Sequence, residues 1–246
     1  MGNHVRRGHI VRDHIDDPKE IGRATRERVA ECLTSLDFSP AAPGFLERVE
    51  RFAAALALWG RRVNLTATPG DPAELAFHIV DSLMPLVIAT RPEGAALRDL
   101  FAPGRVVLDL GSGAGFPGLI LAAACAARFV LLESRRKRAN FLRVAAAEME
   151  LANVEVDATR RDPADLAPAF DVVLGRAFAK PAQFHRCAAA ALRPRGLAIL
   201  YATPEQPLDL EAAMAAGLSG HLRLPYVVPR DRRPVARVLA LWRKPS

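Results

Sequence analysis

The stretch Gly111-Ser-Gly-Ala-Gly-Phe-Pro-Gly118 follows the apolar run Val106-Val-Leu-Asp-Leu110 and precedes the apolar segment Leu119-Ile-Leu-Ala-Ala-Ala124. A strand that feeds a glycine-rich turn and then a helix is a device for holding a nucleotide-like cofactor. Glycine permits positive φ and a close approach of backbone to ligand, and the first turn of a helix presents unpaired N–H groups. Gly113, Gly115 and Gly118 also satisfy the dinucleotide spacing G-x-G-x-x-G. A tight strand-to-helix turn without a ligand is the plain alternative.

Charge separates the two cofactor classes. A dinucleotide sets its pyrophosphate on the helix N-terminus, where a neighbouring carboxylate opposes it. Asp109 stands on the strand, two residues before Gly111. It suits a cationic ligand, and S-adenosylmethionine (SAM) carries both an ammonium and a sulfonium. Glu133 closes the next apolar run, Phe129-Val-Leu-Leu132, roughly 20 residues after the loop, where an acid holds ribose hydroxyls in NAD and SAM sites alike.

His78, Asp81 and Ser82 stand three and four residues apart on an expected helix and share one of its faces. They could line a site. A hydrolase reading of the trio is weak, because triad members come from separate elements and a nucleophile belongs on a strained turn. Cys32, Cys125 and Cys187 are scattered, which gives neither a disulfide framework nor metal-ligand spacing. His4, His9 and His14 have no cysteine partners, so no metal is expected.

The chain has 34 basic and 27 acidic side chains, a net charge of +7, which permits a polyanionic partner. Arg135, Arg136, Lys137 and Arg138 with Arg143 form one basic cluster; Arg230, Arg232, Arg233 and Arg237 form another. Each could contact phosphates or simply be a solvated face.

These residues need elements to position them. At 246 residues the chain has room for one main α/β domain and an accessory segment. Residues 1–20 read as a disordered tail. Residues 21–92 read as an N-terminal helical segment, with Val29, Leu33 and Leu36, then Phe45, Val49, Phe52, Leu56 and Trp59, at helical spacing. Asp71-Pro72-Ala73-Glu74 resembles a capping box that starts a third helix, with core face Leu75, Ile79, Leu83 and Leu86. Residues 93–246 alternate: strand 106–110, helix 117–126, strand 129–133, helix 137–150, strands 154–157 and 171–174, helix 183–192, strand 197–201. That pattern predicts a Rossmann-like α/β fold, a mostly parallel sheet with helices on both faces. Segments 222–228 and 236–242 flank a Pro/Arg turn and can pair as a C-terminal antiparallel hairpin, the ending of class I methyltransferases, which again favours SAM over NAD. No uninterrupted apolar stretch approaches the roughly 18 residues that span a bilayer, and the N-terminus has no signal-type segment. The expectation is a cytoplasmic protein, a monomer without a membrane partner.

Four blocks together resemble the bacterial 16S ribosomal RNA guanine-N7 methyltransferases of the small-subunit methyltransferase G family. They are Trp59 to Thr66, ending Arg62-Val-Asn64-Leu-Thr66; His78-Ile-Val-Asp81-Ser82-Leu83; Val107 to Gly118; and Gly175-Arg176-Ala-Phe-Ala179. The similarity spans about residues 45–201. It implies SAM contacts at Gly111 and Phe116, at Arg161 and Asp162, and at Arg176; Asp109, Gly113, Gly115 and Glu133 complete the expected cofactor set. Asn64, His78, Asp81 and Arg176 become candidates for positioning the target base. The implied partner is 16S ribosomal RNA or the small ribosomal subunit. Two departures stand out: Asp162 where the family usually has Glu, and Tyr201-Ala202-Thr203 where it typically shows Lys-Gly.

Guanine N7 has a lone pair and no proton to lose, so the implied methylation needs no acid–base residue and rests on positioning and electrostatics. Other readings are a SAM methyltransferase for a small molecule or protein, and a non-catalytic RNA- or ribosome-associated relative. An NAD oxidoreductase is disfavoured by Asp109 and by the hairpin.

Overall fold

A computed structural model describes residues 17–178, 180–230 and 233–246. Seven strands form one sheet: β1 (Val106–Leu110), β2 (Arg128–Leu132), β3 (Val154–Asp157), β4 (Phe170–Arg176), β5 (Leu192–Ala202), β6 (Ser219–Val228) and β7 (Val235–Arg243). Their order is β3-β2-β1-β4-β5-β7-β6, parallel through β5 and antiparallel at β5–β7 and β7–β6. The mostly parallel sheet with a C-terminal hairpin is the architecture expected from the sequence.

Side chains alternate across this sheet with the period-two rule of a pleated strand. Val107, Phe129, Leu131, Val172, Leu174, Ile199, Tyr201, Leu239 and Leu241 enter one core with helices α1 (Pro18–Ser35), α2 (Phe45–Gly60), α3 (Pro72–Ala89), α4 (Gly118–Ala124) and α5 (Arg136–Glu148). Leu108, Val173, Ala198, Leu200 and Trp242 enter the other, beneath α6 (Pro181–Ala191) and α7 (Leu210–Ala215). The N-terminal helices therefore share a core with one face of the sheet. Asp109 follows Val107 at period two, and Arg176 follows Leu174. Both are directed by the pleat to the face that α3 covers.

Asp71 caps α3: its carboxylate accepts from the N–H groups of Ala73 at 2.9 Å and Glu74 at 3.3 Å, with Pro72 in the first turn. Glu74 does not complete the box, because its carboxylate pairs with Arg230 near the hairpin turn. Leu75, Ile79 and Leu83 are fully buried and Leu86 partly so. The opposite face of α3 is buried too, since the helix is wedged between α1, α4 and β6. Among the described residues α3 is the one helix long and apolar enough to cross a membrane; 67% of it is buried inside the fold, as in a core helix.

Several boundaries differ from the sequence-based ones. Asp17 caps a helix that begins at Pro18, so residues 18–20 are helical, not tail; His4, His9 and His14 lie outside the described residues. The fifth strand begins at Leu192, because Arg193, Pro194 and Arg195 form an exposed, irregularly paired lead-in that the sequence disguises as a turn. The α4 helix stops at Ala124, where Cys125 turns extended.

Removing the one side-chain cap of α3 tests how much this central helix depends on it. Asp71→Ala is expected to lower unfolding free energy by about 1 kcal/mol, measured by urea denaturation; an unchanged midpoint would show that packing alone fixes the helix start.

Candidate functional site

The strand order reverses between β1 and β4, and ligands of open α/β sheets bind in the crevice at the carboxyl ends of strands flanking such a reversal. The loop leaving β1 has left-handed backbone at Gly111 (φ 72), Gly113 (φ 56) and Gly115 (φ 95), where a side chain would be strained. Two carboxylates hold it from beneath. Asp109, 1% exposed, accepts through Oδ2 from the Gly118 N–H at 3.0 Å. Glu133, 5% exposed, accepts from the Gly113 N–H at 3.1 Å and from the Arg135 N–H at 2.7 Å. A Cβ on Gly118 would stand 2.5 Å from Asp109 Oδ2, so the close approach needs glycine. Asp109 Oδ1 is buried and has no partner within the protein. Burial pushes the Asp109 carboxyl up to about 6, partly offset by the nearby Ser112 hydroxyl, which donates to the Asp109 carbonyl at 3.1 Å, and by the bond from Gly118.

The second wall joins Arg176, the last residue of β4, to α3. Its Nη1 donates to the His78 carbonyl at 3.3 Å and to Ser82 Oγ at 3.4 Å, and lies 3.4 Å from Asp81 Oδ2. Its Nη2 lies 2.5 Å from His78 Nδ1. A guanidinium only donates, so His78 is neutral with Nδ1 as acceptor. Burial, reinforced by Arg176, Arg237 and Arg230, pushes His78 down to about 3. Phe116 lies between these walls: the His78 ring stands 5.3 Å from its ring, and the Arg176 guanidinium 5.5 Å from its centroid.

Two phenols brace the same network. Tyr226, from β6, donates to Asp81 Oδ1 at 2.8 Å; Tyr201, from β5, donates to the Ser82 carbonyl at 2.9 Å. They are the only tyrosines of the chain. Tyr201 thus occupies the position of the expected lysine by packing, 5% exposed, beneath α3. Asp81 is 1% exposed and bonded to Tyr226 and Arg176, so it does not itself line the crevice.

The other expected residues are distributed around this centre. Asp109 and Glu133 do face the loop, but from below, as acceptors for its backbone. Arg161 is exposed and folds back onto Asp157 through two bonds of 3.2 and 3.0 Å, while Asp162 is exposed after β3 with its N–H on Asp165. Among the described residues neither is hydrogen-bonded to the glycine loop. Asn64 is exposed between α2 and α3, and its carbonyl accepts from Arg138 Nη2 at 2.8 Å; that arginine reaches beside Gly113. Arg135, Arg136 and Lys137 are exposed at the start of α5, on the same sheet edge. In the C-terminal cluster, Arg230 and Arg237 lie over Phe77, at 5.1 and 5.5 Å, and Arg232 is outside the described residues.

The sequence did not single out Tyr226, and it placed Arg138 only in a basic cluster and Phe178 only within the Arg176 block. The chain turns through Ala177 (φ 51) and returns the Phe178 ring over Gly111, where a Cβ would meet it at 2.6 Å. Ala177 is thus an exposed alanine in left-handed backbone directly after Arg176. Ala179 lies outside the described residues.

Sheet order, terminal hairpin and a glycine loop over two carboxylates define a class I SAM-dependent methyltransferase. A putative sarcosine dimethylglycine methyltransferase from Galdieria sulphuraria has a similar fold, with TM-score 0.51 and 14% identity over 71% of this chain and 88% of that one. The family model for rRNA small subunit methyltransferase G (GidB) matches residues 45–220. Ribosomal RNA small subunit methyltransferase G of Anaeromyxobacter sp. (strain Fw109-5) is 38% identical over 212 residues, 83% of this chain and 91% of that protein. The protein of the same name from Methylococcus capsulatus is 40% identical over 186 residues, 74% of this chain and 83% of that one. This chain belongs to the rRNA small subunit methyltransferase G family. The residues fit its cofactor: a buried carboxylate with one oxygen free of protein partners, beneath a loop cleared of side chains, suits a cationic ligand such as SAM.

The Asp109 carboxyl gives a pH signature. It binds its proton more tightly folded than unfolded, so its ionisation costs stability once the unfolded chain has lost that proton. Wild-type stability is expected to fall relative to Asp109→Asn as pH rises from about 4 to about 6, then run parallel above that. Urea midpoints at each pH would show it, and parallel curves throughout would contradict it.

Proposed function

We propose that this chain methylates N7 of a guanine in 16S ribosomal RNA, acting as a cytoplasmic monomer. The observation that carries the reading is the family match over residues 45–220, which contains the loop, α3 and Arg176. We assign residues 93–246 to the SAM-binding domain and 21–92 to the helical cover that supplies Asn64 and His78. When bound, SAM supplies an activated methyl group for displacement by the N7 lone pair, with no proton to remove.

Gly111, Gly113 and Gly115 admit the cofactor's amino-acid end against the loop backbone. Asp109, buried beneath the loop, would act on its positive charge through the field and not by contact, and Glu133, which has lone pairs left after its two backbone bonds, would accept from ribose. Phe116 offers an apolar wall, and Asp162 an acceptor for the adenine amine, with Arg161 beside it. Arg176 and His78 orient the base. His78 is neutral and its Nδ1 is engaged by Arg176, in keeping with positioning and not proton transfer. Arg135, Arg136 and Lys137, exposed next to the crevice, meet RNA phosphates, which makes affinity fall with salt.

Mapping N7-methylguanosine in small-subunit ribosomal RNA from cells with and without the protein, by chemical cleavage and primer extension, tests the reading. Loss of one modified guanine is expected, restored by the wild type and not by Gly111→Asp. An unchanged map would refute it; calorimetric SAM binding with an unchanged map would favour another acceptor, and absence of SAM binding a non-catalytic relative.

A further inference from the structure

The Arg176 contacts leave an unequal distribution of donors. Nη1 is turned to α3, towards the His78 carbonyl, Ser82 Oγ and Asp81, and one Nη2 hydrogen goes to His78 Nδ1. Among the described residues, Nε–H and the second Nη2–H have no protein acceptor. What fixes this orientation is the charged contact at Asp81 Oδ2, and what fixes Asp81 is a phenol on its other oxygen. Tyr226 Oη donates at 2.8 Å, from a residue only 6% exposed. Tyr226 arrives from the C-terminal hairpin, 145 residues along the chain from Asp81. The hairpin is fastened nearby by the Arg230–Glu74 ion pair and by Arg230 and Arg237 over Phe77.

We propose that Tyr226 is a positioning residue for methyl transfer: through Asp81 it holds Arg176 so that its two uncommitted donors face the crevice. Burial keeps the phenol protonated, so it is a permanent donor, and the hydrogen bond leaves Asp81 Oδ2 for the guanidinium. A carboxylate held at both oxygens cannot swing away from Arg176, and an arginine held by three residues of α3 pays little further entropy on meeting its ligand. The last hairpin of the fold thereby sets the alignment of a side chain at the end of β4. The inference rests on the role given to Arg176 above.

A double-mutant cycle on turnover tests it. The substrate is small ribosomal subunits from cells lacking the protein, with rates normalised to SAM-binding sites counted by calorimetry. Tyr226→Phe removes one oxygen and keeps the ring. It is expected to lower kcat by about 10- to 100-fold while KM for SAM and for the subunits stays within about threefold. In the Arg176→Ala background the same change is expected to have no further effect on kcat. Should Tyr226→Phe accumulate poorly, Asp81→Asn cuts the chain one link later and is held to the same criterion. If Arg176→Ala is impaired but Tyr226→Phe turns over like wild type, or if the two losses multiply, Tyr226 is not positioning Arg176 and the role of Arg176 stands. If Arg176→Ala itself turns over like wild type, both readings fail together.

Discussion

The bond from the Gly118 N–H to the buried Asp109 carboxylate ties the end of β1 to the start of α4, and with it the path of the glycine loop between them. A carboxylate at that depth is costly unless it is bonded, since burial penalises the charged form. Asp109 satisfies one oxygen with backbone and leaves the other without a partner. The loop is thus held in shape by a buried carboxylate that bonds its backbone at Gly118. Glu133 repeats the arrangement one strand away, holding Gly113 in place.

The pleat then assembles everything else. Asp109, Arg176, Tyr201 and Tyr226 belong to different strands, yet period-two alternation and the β4–β5–β7–β6 register bring them to the same face. The α3 helix lies across that face and answers each group: Asp81 to Tyr226 and Arg176, the Ser82 carbonyl to Tyr201, His78 to Arg176. Buried polar groups of this kind are stable only when each finds a partner. The helix is amphipathic in an unusual sense, apolar toward α1 and polar toward the reacting crevice, with both faces buried.

Much of this was legible in the sequence. Strand and helix alternation, the loop, the cap at Asp71 and the terminal hairpin all appear where local pattern places them, because each depends on near neighbours in the chain. The four blocks of family resemblance located His78 and Arg176, which the structure brings together. Direction was harder to read. Asp109 and Glu133 could be assigned to a ligand but not to the backbone of their own loop, since which way a carboxylate turns depends on packing above the strand. Asp81 looked available because Tyr226 lies 145 residues away, and only the hairpin register unites them. The same register explains Tyr201: a lysine at a strand end would be expected to face solvent or RNA, whereas a tyrosine there finds the α3 carbonyl and packs.

On the function proposed, the reaction asks little of the protein: N7 methylation needs an activated methyl, a lone pair in line with it and a dry crevice, so shape, charge and orientation would suffice. The central element is the unpartnered oxygen of Asp109, and proton-linked binding addresses it directly. Titrating SAM calorimetrically near pH 6, in buffers of different ionisation enthalpy, measures protons exchanged on binding. A cation placed beside a carboxyl that titrates at about 6 should drive its proton off, so the wild type is expected to release a fraction of a proton and to bind more tightly as pH rises toward 7. Asp109→Asn should bind without that release. Equal proton exchange in the two proteins would contradict the account.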